Sequence, residues 1–240
     1  MMRESIVVYY APFTSLERQP MGHMMFPSPK PVHKEMRLNK VNGKSSYMIC
    51  NAYKETFANT FVLEHPVDLD LDFDNNRARG KNSDWTRPRE SSFQNSISFD
   101  LSCGIILFCE EDLEVMILPP IFQKTQLPNY GFLASGGFNI GRWFRPIHPS
   151  YFLWEGVSKF KCEAGEPWGY LKFLTKTEII FKPFYMTQTL EDISTSCSHH
   201  PQWYPFQNLE QRYKSLKASH LKGKIIKEIK QNLLDEEPVV

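Results

Sequence analysis

The chain has 240 residues, of which 41% are apolar and 23% are charged, and 28 basic side chains nearly balance 27 acidic ones. A chain of this length buries about 70% of the surface that its unfolded form exposes, so its core can hold the fold without metal or disulfide staples. The formal net charge of +1 provides no bulk attraction to nucleic acid or to a membrane surface, which argues against both as partners.

The five cysteines, at positions 50, 103, 109, 162 and 197, are odd in number and contain no Cys-x-x-Cys pair. This usage is typical of reduced thiols in the cytoplasm. The first ten residues lack the apolar run of a secretion signal, and no apolar run approaches the roughly 20 residues that cross a bilayer. We therefore predict a cytoplasmic protein without a membrane span.

Short apolar runs separated by Pro, Asn, Ser and Gly are typical of a β-dominated domain. Strands are predicted in the runs 6–10, 60–63, 97–109, 113–118, 156–162, 168–174 and 178–184. The predicted fold is mainly antiparallel β, a β-sandwich or jelly-roll-like domain with a few helices over residues 1–188. A helical C-terminal extension is predicted over residues 189–240.

Two pairs of these runs are predicted to be β-hairpins. Residues 104–109 lead through the acids at 110–112 into residues 113–118, and three consecutive carboxylates cannot continue a buried strand. The second pair is joined by a turn in which Gly165 can adopt positive φ and Pro167 has a fixed φ.

Two segments are predicted to lack regular structure. Residues 75–90 are polar and basic, which is typical of a long loop that is either functional or disordered. Residues 20–31 contain four prolines and three methionines, which predicts an extended path over the surface with few ladder hydrogen bonds.

An alternating acidic segment runs from Asp68 to Asp74. In a strand, its four carboxylates would project from one face, and Leu69, Leu71 and Phe73 would project from the other. The pattern favours a solvated strand face or an edge strand guarded by charge. A bound Ca²⁺ or Mg²⁺ is the alternative, although the segment lacks the glycine and closing glutamate of a calcium-binding loop.

A second candidate metal cluster contains Cys197, His199 and His200, whose side chains are competent ligands for zinc or iron. Adjacent histidines in an extended segment point to opposite sides, so a site would also need His65 or His148. We interpret the cluster as polar linker residues ahead of the last helix, and we predict no bound metal and no cofactor.

The predicted ligand-binding residues are Arg142, Trp143, Arg145 and His148, the densest grouping of cationic and aromatic side chains in the chain. If the segment is a strand with both arginines on one face, the two guanidiniums can fork onto a carboxylate or phosphate. Surface salt bridges are the alternative interpretation. The preceding Gly-rich run, 134–141, lacks the Lys-Ser/Thr ending of a phosphate loop and predicts a turn or bulge.

The C-terminal region predicts a short helix at 189–193 and a longer one from residue 208, with a break near Gly223. The apolar stripe of the longer helix contains Leu209, Tyr213, Leu216, Ile226, Ile229 and Leu233. An isolated helix of this length is marginally stable in water, so we expect the stripe to dock on the β-domain or on a protein partner, with the lysines left in water.

Short motifs in the chain resemble uncharacterised bacterial and tailed-phage proteins. They are the Arg-Pro pair at 145–146, the Gly-Glu-Pro turn at 165–167, and the segments 8–13 and 59–63. The resemblance implies a β-rich fold and a phage origin, hence a location in the host cytoplasm or the virion, and it assigns no activity to any residue. The predicted function is a non-catalytic structural or host-interaction protein. The alternative is a metal-dependent oxygenase-like enzyme on a β-barrel, using His148, His199, His200 and the acidic segment.

Overall fold

The structure, a computed structural model, describes residues 5–13, 19–34, 55–74, 77–89, 96–101, 104–203 and 208–234, without the side chains of residues 19, 89, 198–203 and 209. This part of the chain is mainly antiparallel β-sheet and carries helices that include C-terminal ones, which confirms the predicted fold class. None of the helices described is long and apolar enough to span a membrane.

The element bounds follow the chain in order. The strands are β1 Ser5–Pro12, β2 Lys30–Pro31, β3 Thr60–Glu64, β4 Leu69–Asp74, β5 Arg77–Lys81, β6 Thr86–Arg89, β7 Ser98–Leu101, β8 Ile105–Cys109, β9 Glu114–Leu118, β10 Gly131–Leu133, β11 Gly136–Asn139, β12 Ser150–Leu153, β13 Lys159–Cys162, β14 Pro167–Phe173 and β15 Glu178–Pro183. The helices are α1 Gln19–Met25, α2 Leu127–Tyr130, α3 Gln188–Trp203, α4 Leu209–Ala218 and α5 Leu221–Gln231, and a 3₁₀ turn spans Ser83–Trp85.

The strands form four open sheets. Their orders are β15-β1-β8, β10-β12-β7-β6, β11-β9-β14-β3-β2 and β13-β4-β5. All strand pairs in the described ranges are antiparallel except β1 with β15, which is parallel.

Both predicted hairpins are wrong, because each turn carries the chain from one sheet into another. β8 pairs with β1, whereas β9 pairs with β14 and β11. β13 pairs with β4, whereas β14 pairs with β3 and β9. The side chains of β8 explain the first case: Ile105 and Leu107 face the main core, while Ile106 and Phe108 face a second apolar cluster. Because β8 is buried on both faces, it separates the main core from the second apolar cluster. β9 borders the main core but not the second cluster.

The basic segment predicted as a long loop instead forms β5, the 3₁₀ turn and β6. β5 pairs with the acidic strand β4, placing Lys81 opposite Asp70 and Arg79 opposite Asp72. Opposite charges on neighbouring strands favour this pairing. The basic composition of the segment, which suggested a loop, therefore belongs to a strand that pairs with the acidic strand β4.

The acidic strand β4 has the two faces that its alternation predicts. Leu69, Leu71 and Phe73 are buried, and the aspartates between them are exposed. β4 lies in the middle of its sheet, so the solvated-face interpretation is confirmed and the edge-strand interpretation is wrong. The strands on both sides supply cations to the carboxylates: the ion pairs are Lys81–Asp68 at 2.8 Å, Lys161–Asp70 at 2.8 Å, Arg79–Asp74 at 3.6 Å and Lys159–Asp72 at 3.7 Å.

The extended path predicted for residues 20–31 is also wrong at its start, where α1 covers Gln19–Met25. Pro20 is the second residue of this helix, and proline is tolerated in the first turn because its missing N–H would have no intrahelical partner there. The prolines at 27 and 29 follow the helix, and the segment then enters the sheet through the two-residue strand β2, which pairs with β3.

The C-terminal stripe docks on the chain's own β-domain. Leu216 and Ile229 are buried in the second apolar cluster together with Ile106, Phe108 and Phe144. The predicted single helix is two helices, α4 and α5, broken at His220, where φ is +56°, rather than at Gly223. Leu209 belongs to the predicted stripe, but its side chain lies outside the described atoms.

We predict that Phe160→Ala lowers the free energy of unfolding by about 3–5 kcal/mol, because Phe160 is fully buried against Phe99 and Tyr151. Phe132→Ala is the matched control, since Phe132 is 37% exposed and its loss should cost about 1 kcal/mol or less. Urea unfolding measures both, and equal losses would contradict this description of the core.

Candidate functional site

The segment that holds the predicted ligand-binding residues is irregular and contains no strand. Arg142, Arg145 and His148 are exposed, and Trp143 is buried. The prediction that both arginines share one face of a strand is wrong, because the arginines are three positions apart and the chain turns at Ile140–Arg142.

A close approach at Gly141 positions this turn. A Cβ atom at Gly141 would lie 1.7 Å from the backbone oxygen of Glu111, so only glycine allows the two chain segments to meet there. The Gly141 N–H donates to the Asn139 side-chain oxygen at 3.0 Å, which closes the turn. The following residue, Arg142, then reaches Asp112 with a nitrogen–oxygen distance of 2.5 Å.

The residues Glu110–Asp112, which we call the acidic turn, connect the β-domain to the last helix. Lys230 of α5 lies 2.6 Å from Glu110, and Lys222 of the same helix lies 4.0 Å from Asp112. Arg142 therefore binds a carboxylate, as its sequence context suggests, but that carboxylate belongs to the chain itself.

These contacts shift the ionisation of both acids in the same direction. The hydrogen bond and charge of Arg142 hold the pKa of Asp112 below its ordinary value, and those of Lys230 do the same for Glu110. Tyr9 donates its hydroxyl to Glu110 at 3.0 Å, and burial together with this carboxylate raises the pKa of Tyr9 to about 12. Both carboxylates are thus held in the charged state that pairs with the helix.

Trp143 lines a cavity of about 210 Å³ beneath the C-terminal helices, which we call the Trp143 pocket. The other lining residues are Ser196 and Cys197 of α3, Arg212, Ser215 and Leu216 of α4, and Ser219 and Leu221 at the α4–α5 junction. Trp143 is only 5% exposed, and its indole Nε1–H has no acceptor among the described residues. The Nε–H of Arg212 is likewise buried without an acceptor in that part of the chain.

The other groups that line the pocket do not accept a hydrogen bond from either of these two N–H donors. The hydroxyls of Ser196, Ser215 and Ser219 donate to backbone oxygens of their own helices at 2.7–3.0 Å. Burial raises the pKa of the Cys197 thiol to about 11, so the thiol stays protonated near neutral pH. The lining contains a guanidinium and no carboxylate, which is the chemistry of a site for a hydrogen-bond acceptor or an anion.

Two contacts hold the Trp143 ring in place. The Arg145 guanidinium lies over the ring at 5.5 Å from its centroid, a cation–π geometry. On another side, Tyr213 of α4 meets the indole edge-on at 6.1 Å, and the Tyr213 hydroxyl accepts the Asn139 backbone N–H at 2.9 Å. Arg145 thus acts on the ring of Trp143, while His148 is not among the pocket-lining residues.

The predicted site omitted Arg212 and the serines of α4. Their signal in the sequence is a polar set at Arg212, Ser215 and Ser219, spaced by three and four residues beside the apolar stripe. Residues at this spacing share one face of a helix, so the docked face of α4 carries polar groups as well as apolar ones.

The cluster around Cys197 lies in helix α3 rather than in the predicted linker. Cys197 is buried, and the side chains of His199 and His200 lie outside the described atoms. Among the described residues, no group of three or more His, Cys, Asp or Glu side chains is placed to hold a metal ion.

Comparison with known proteins adds no relative: no protein-family model matches the chain, and no curated protein matches it.

The pairing of Asp112 predicts a specific loss of stability in acid. Because Arg142 lowers the pKa of folded Asp112, the stabilisation is present above the unfolded pKa of about 4 and is lost as pH falls below it. We expect the fall in unfolding free energy from pH 7 to pH 3 to be smaller in Asp112→Asn than in the unaltered chain. Asp84→Asn, at an exposed position, is the control, and an unchanged pH dependence in Asp112→Asn would contradict the pairing.

Proposed function

We propose that this chain is a non-catalytic interaction protein, of the structural or host-contacting kind that we predicted from the sequence. In this proposal the Trp143 pocket binds an acidic group of a protein partner. The observation that carries the proposal is that two buried N–H donors in the lining of one cavity, Trp143 Nε1 and Arg212 Nε, have no acceptor within the described residues. An unsatisfied buried donor costs about 1–3 kcal/mol, and a carboxylate seated between the two would remove that cost.

The size of the cavity supports a small acidic group as the occupant. Its volume is about 210 Å³. The carboxylate end of an aspartate or glutamate side chain, or of a chain terminus, fits this space.

The charge of the surrounding helices supports a macromolecular partner. Within the described structure, the Arg212 guanidinium has no ion pair that would neutralise it. Exposed lysines at 214, 217, 224 and 227 lie on the same two helices, α4 and α5. An acidic peptide segment would complement these charges, and they would increase its rate of association more than its final affinity.

The test is a titration of the ¹⁵N-labelled protein with an acetylated tri-glutamate peptide and with the matched tri-glutamine peptide. We expect a saturable downfield shift of the Trp143 indole N–H signal with the glutamate peptide only, because a charge-assisted hydrogen bond forms there. Trp143→Phe keeps an aromatic ring without the N–H, and it should weaken binding about tenfold, the equivalent of about 1.4 kcal/mol.

Two control variants separate the pocket from general effects. Trp154→Phe removes an indole whose N–H already donates to the Pro128 oxygen at 2.9 Å, and it should leave peptide binding unchanged. Arg212→Gln should weaken binding, whereas Lys214→Gln on the exposed face of the same helix should have a smaller effect. Binding that is unaltered in both Trp143→Phe and Arg212→Gln, or equal for the two peptides, would contradict the proposal.

A further inference from the structure

A second cavity, of about 400 Å³, lies between the segment that follows α1 and the end of β3. Its lining mixes polar and apolar groups, and the apolar residues include Met25, Phe26, Leu63 and Ile105. This volume is within the range of about 300–1,000 Å³ that is usual for small-molecule sites. The cavity shares no lining residue with the Trp143 pocket.

His65 is a wall residue with an unmet hydrogen bond. Its side chain is 1% exposed, and its ring meets Trp85 edge-on with a centroid distance of 6.0 Å. The Nδ1 atom lies 2.5 Å from the Val67 backbone oxygen. Because a carbonyl oxygen can only accept, Nδ1 carries the proton, and the Val67 N–H at 3.4 Å is a weaker contact.

This tautomer leaves Nε2 of the neutral ring as an acceptor. Nε2 is buried, and no donor within the described part of the chain reaches it. Burial lowers the pKa of His65, which keeps the ring neutral near pH 7. The charged residues that line the cavity, Lys30 and Glu64, form an ion pair with each other at 3.5 Å. Nε2 of His65 is the lining atom that still requires a hydrogen-bond donor in the described structure.

We propose that this cavity binds a small, largely apolar molecule carrying a hydroxyl or N–H group that donates to Nε2 of His65. The apolar walls bind the body of the molecule through burial, and the histidine selects its donor end. This chemistry is the reverse of that in the Trp143 pocket, where the chain supplies donors and lacks an acceptor. The two sites are independent, and neither proposal rests on the other.

The test uses 2-naphthol as the probe and 2-methoxynaphthalene as its matched control, which has the same rings but no donor. We expect saturable binding of 2-naphthol by fluorescence and about tenfold weaker binding of the methoxy compound. In the unaltered protein, the ¹⁵N resonance of His65 Nε2 should move on addition of 2-naphthol, because its lone pair becomes hydrogen-bonded. Equal affinities for the two compounds, no binding of 2-naphthol, or binding without movement of that resonance would overturn the proposal.

Variants provide a second, separate measurement. His65→Asn keeps a donor for the Val67 oxygen and removes Nε2, so it should abolish the preference for 2-naphthol. His148→Asn, at an exposed histidine, should keep the preference. Trp143→Phe should also keep it, which distinguishes failure of this site from failure of the Trp143 pocket. If His65→Asn does not fold, the comparison of the two compounds and the His65 resonance in the unaltered chain still decide the question.

Discussion

The ion pairs of the acidic turn are the interaction on which the arrangement of the C-terminal helices and the candidate site depends. Apolar packing alone would let a helix slide or rotate on the β-domain, because hydrophobic contact is non-directional. The pairs from Glu110 to Lys230 and from Asp112 to Lys222 fix α5 at two places along its length. Asp112 also pairs with Arg142, the residue before Trp143. The acidic turn therefore positions both the C-terminal helices that cover the Trp143 pocket and the loop that carries Trp143.

Many comparable polar groups have partners in the described structure, although the Gln123 side-chain oxygen is also buried without one. The half-buried Lys172 ammonium lies within 3.3 Å of the backbone oxygens of residues 55, 56 and 58. Glu166 accepts from the Thr125 hydroxyl and from the backbone N–H groups of residues 126 and 163. The buried indole N–H of Trp143 and the buried imidazole nitrogen of His65 have no partner among the described residues. They therefore indicate positions where a group from outside the chain completes the hydrogen bond.

Local pattern predicted the faces of the elements but not their neighbours. The alternation around Leu71 identifies which side of β4 is buried, because that depends only on the period of a strand. The same reasoning cannot say that β8 and β9 enter different sheets, since turn chemistry specifies a reversal and not a partner. The site shows the same limit: composition singled out Trp143, whereas Arg212 lies far along the chain and reaches the pocket only through the docking of α4.

The break in the C-terminal helix follows from which residues must be buried together. Leu216 and Ile225 both pack in the second apolar cluster, and they are nine positions apart. At about 100° per residue, a continuous helix would place them roughly 180° apart, on opposite faces, and only one could reach the β-domain. The chain therefore has to break between them.

The break is at His220, whose backbone adopts the left-handed conformation at a cost of about 1–2 kcal/mol for a residue with a side chain. Gly223 would have made the left-handed conformation less costly. A break there would instead leave residues 219–222, about one turn, in register with α4, and it would turn Leu221 away from the pocket that it lines. The position of the break is thus set by tertiary burial, which outweighs the local preference for glycine.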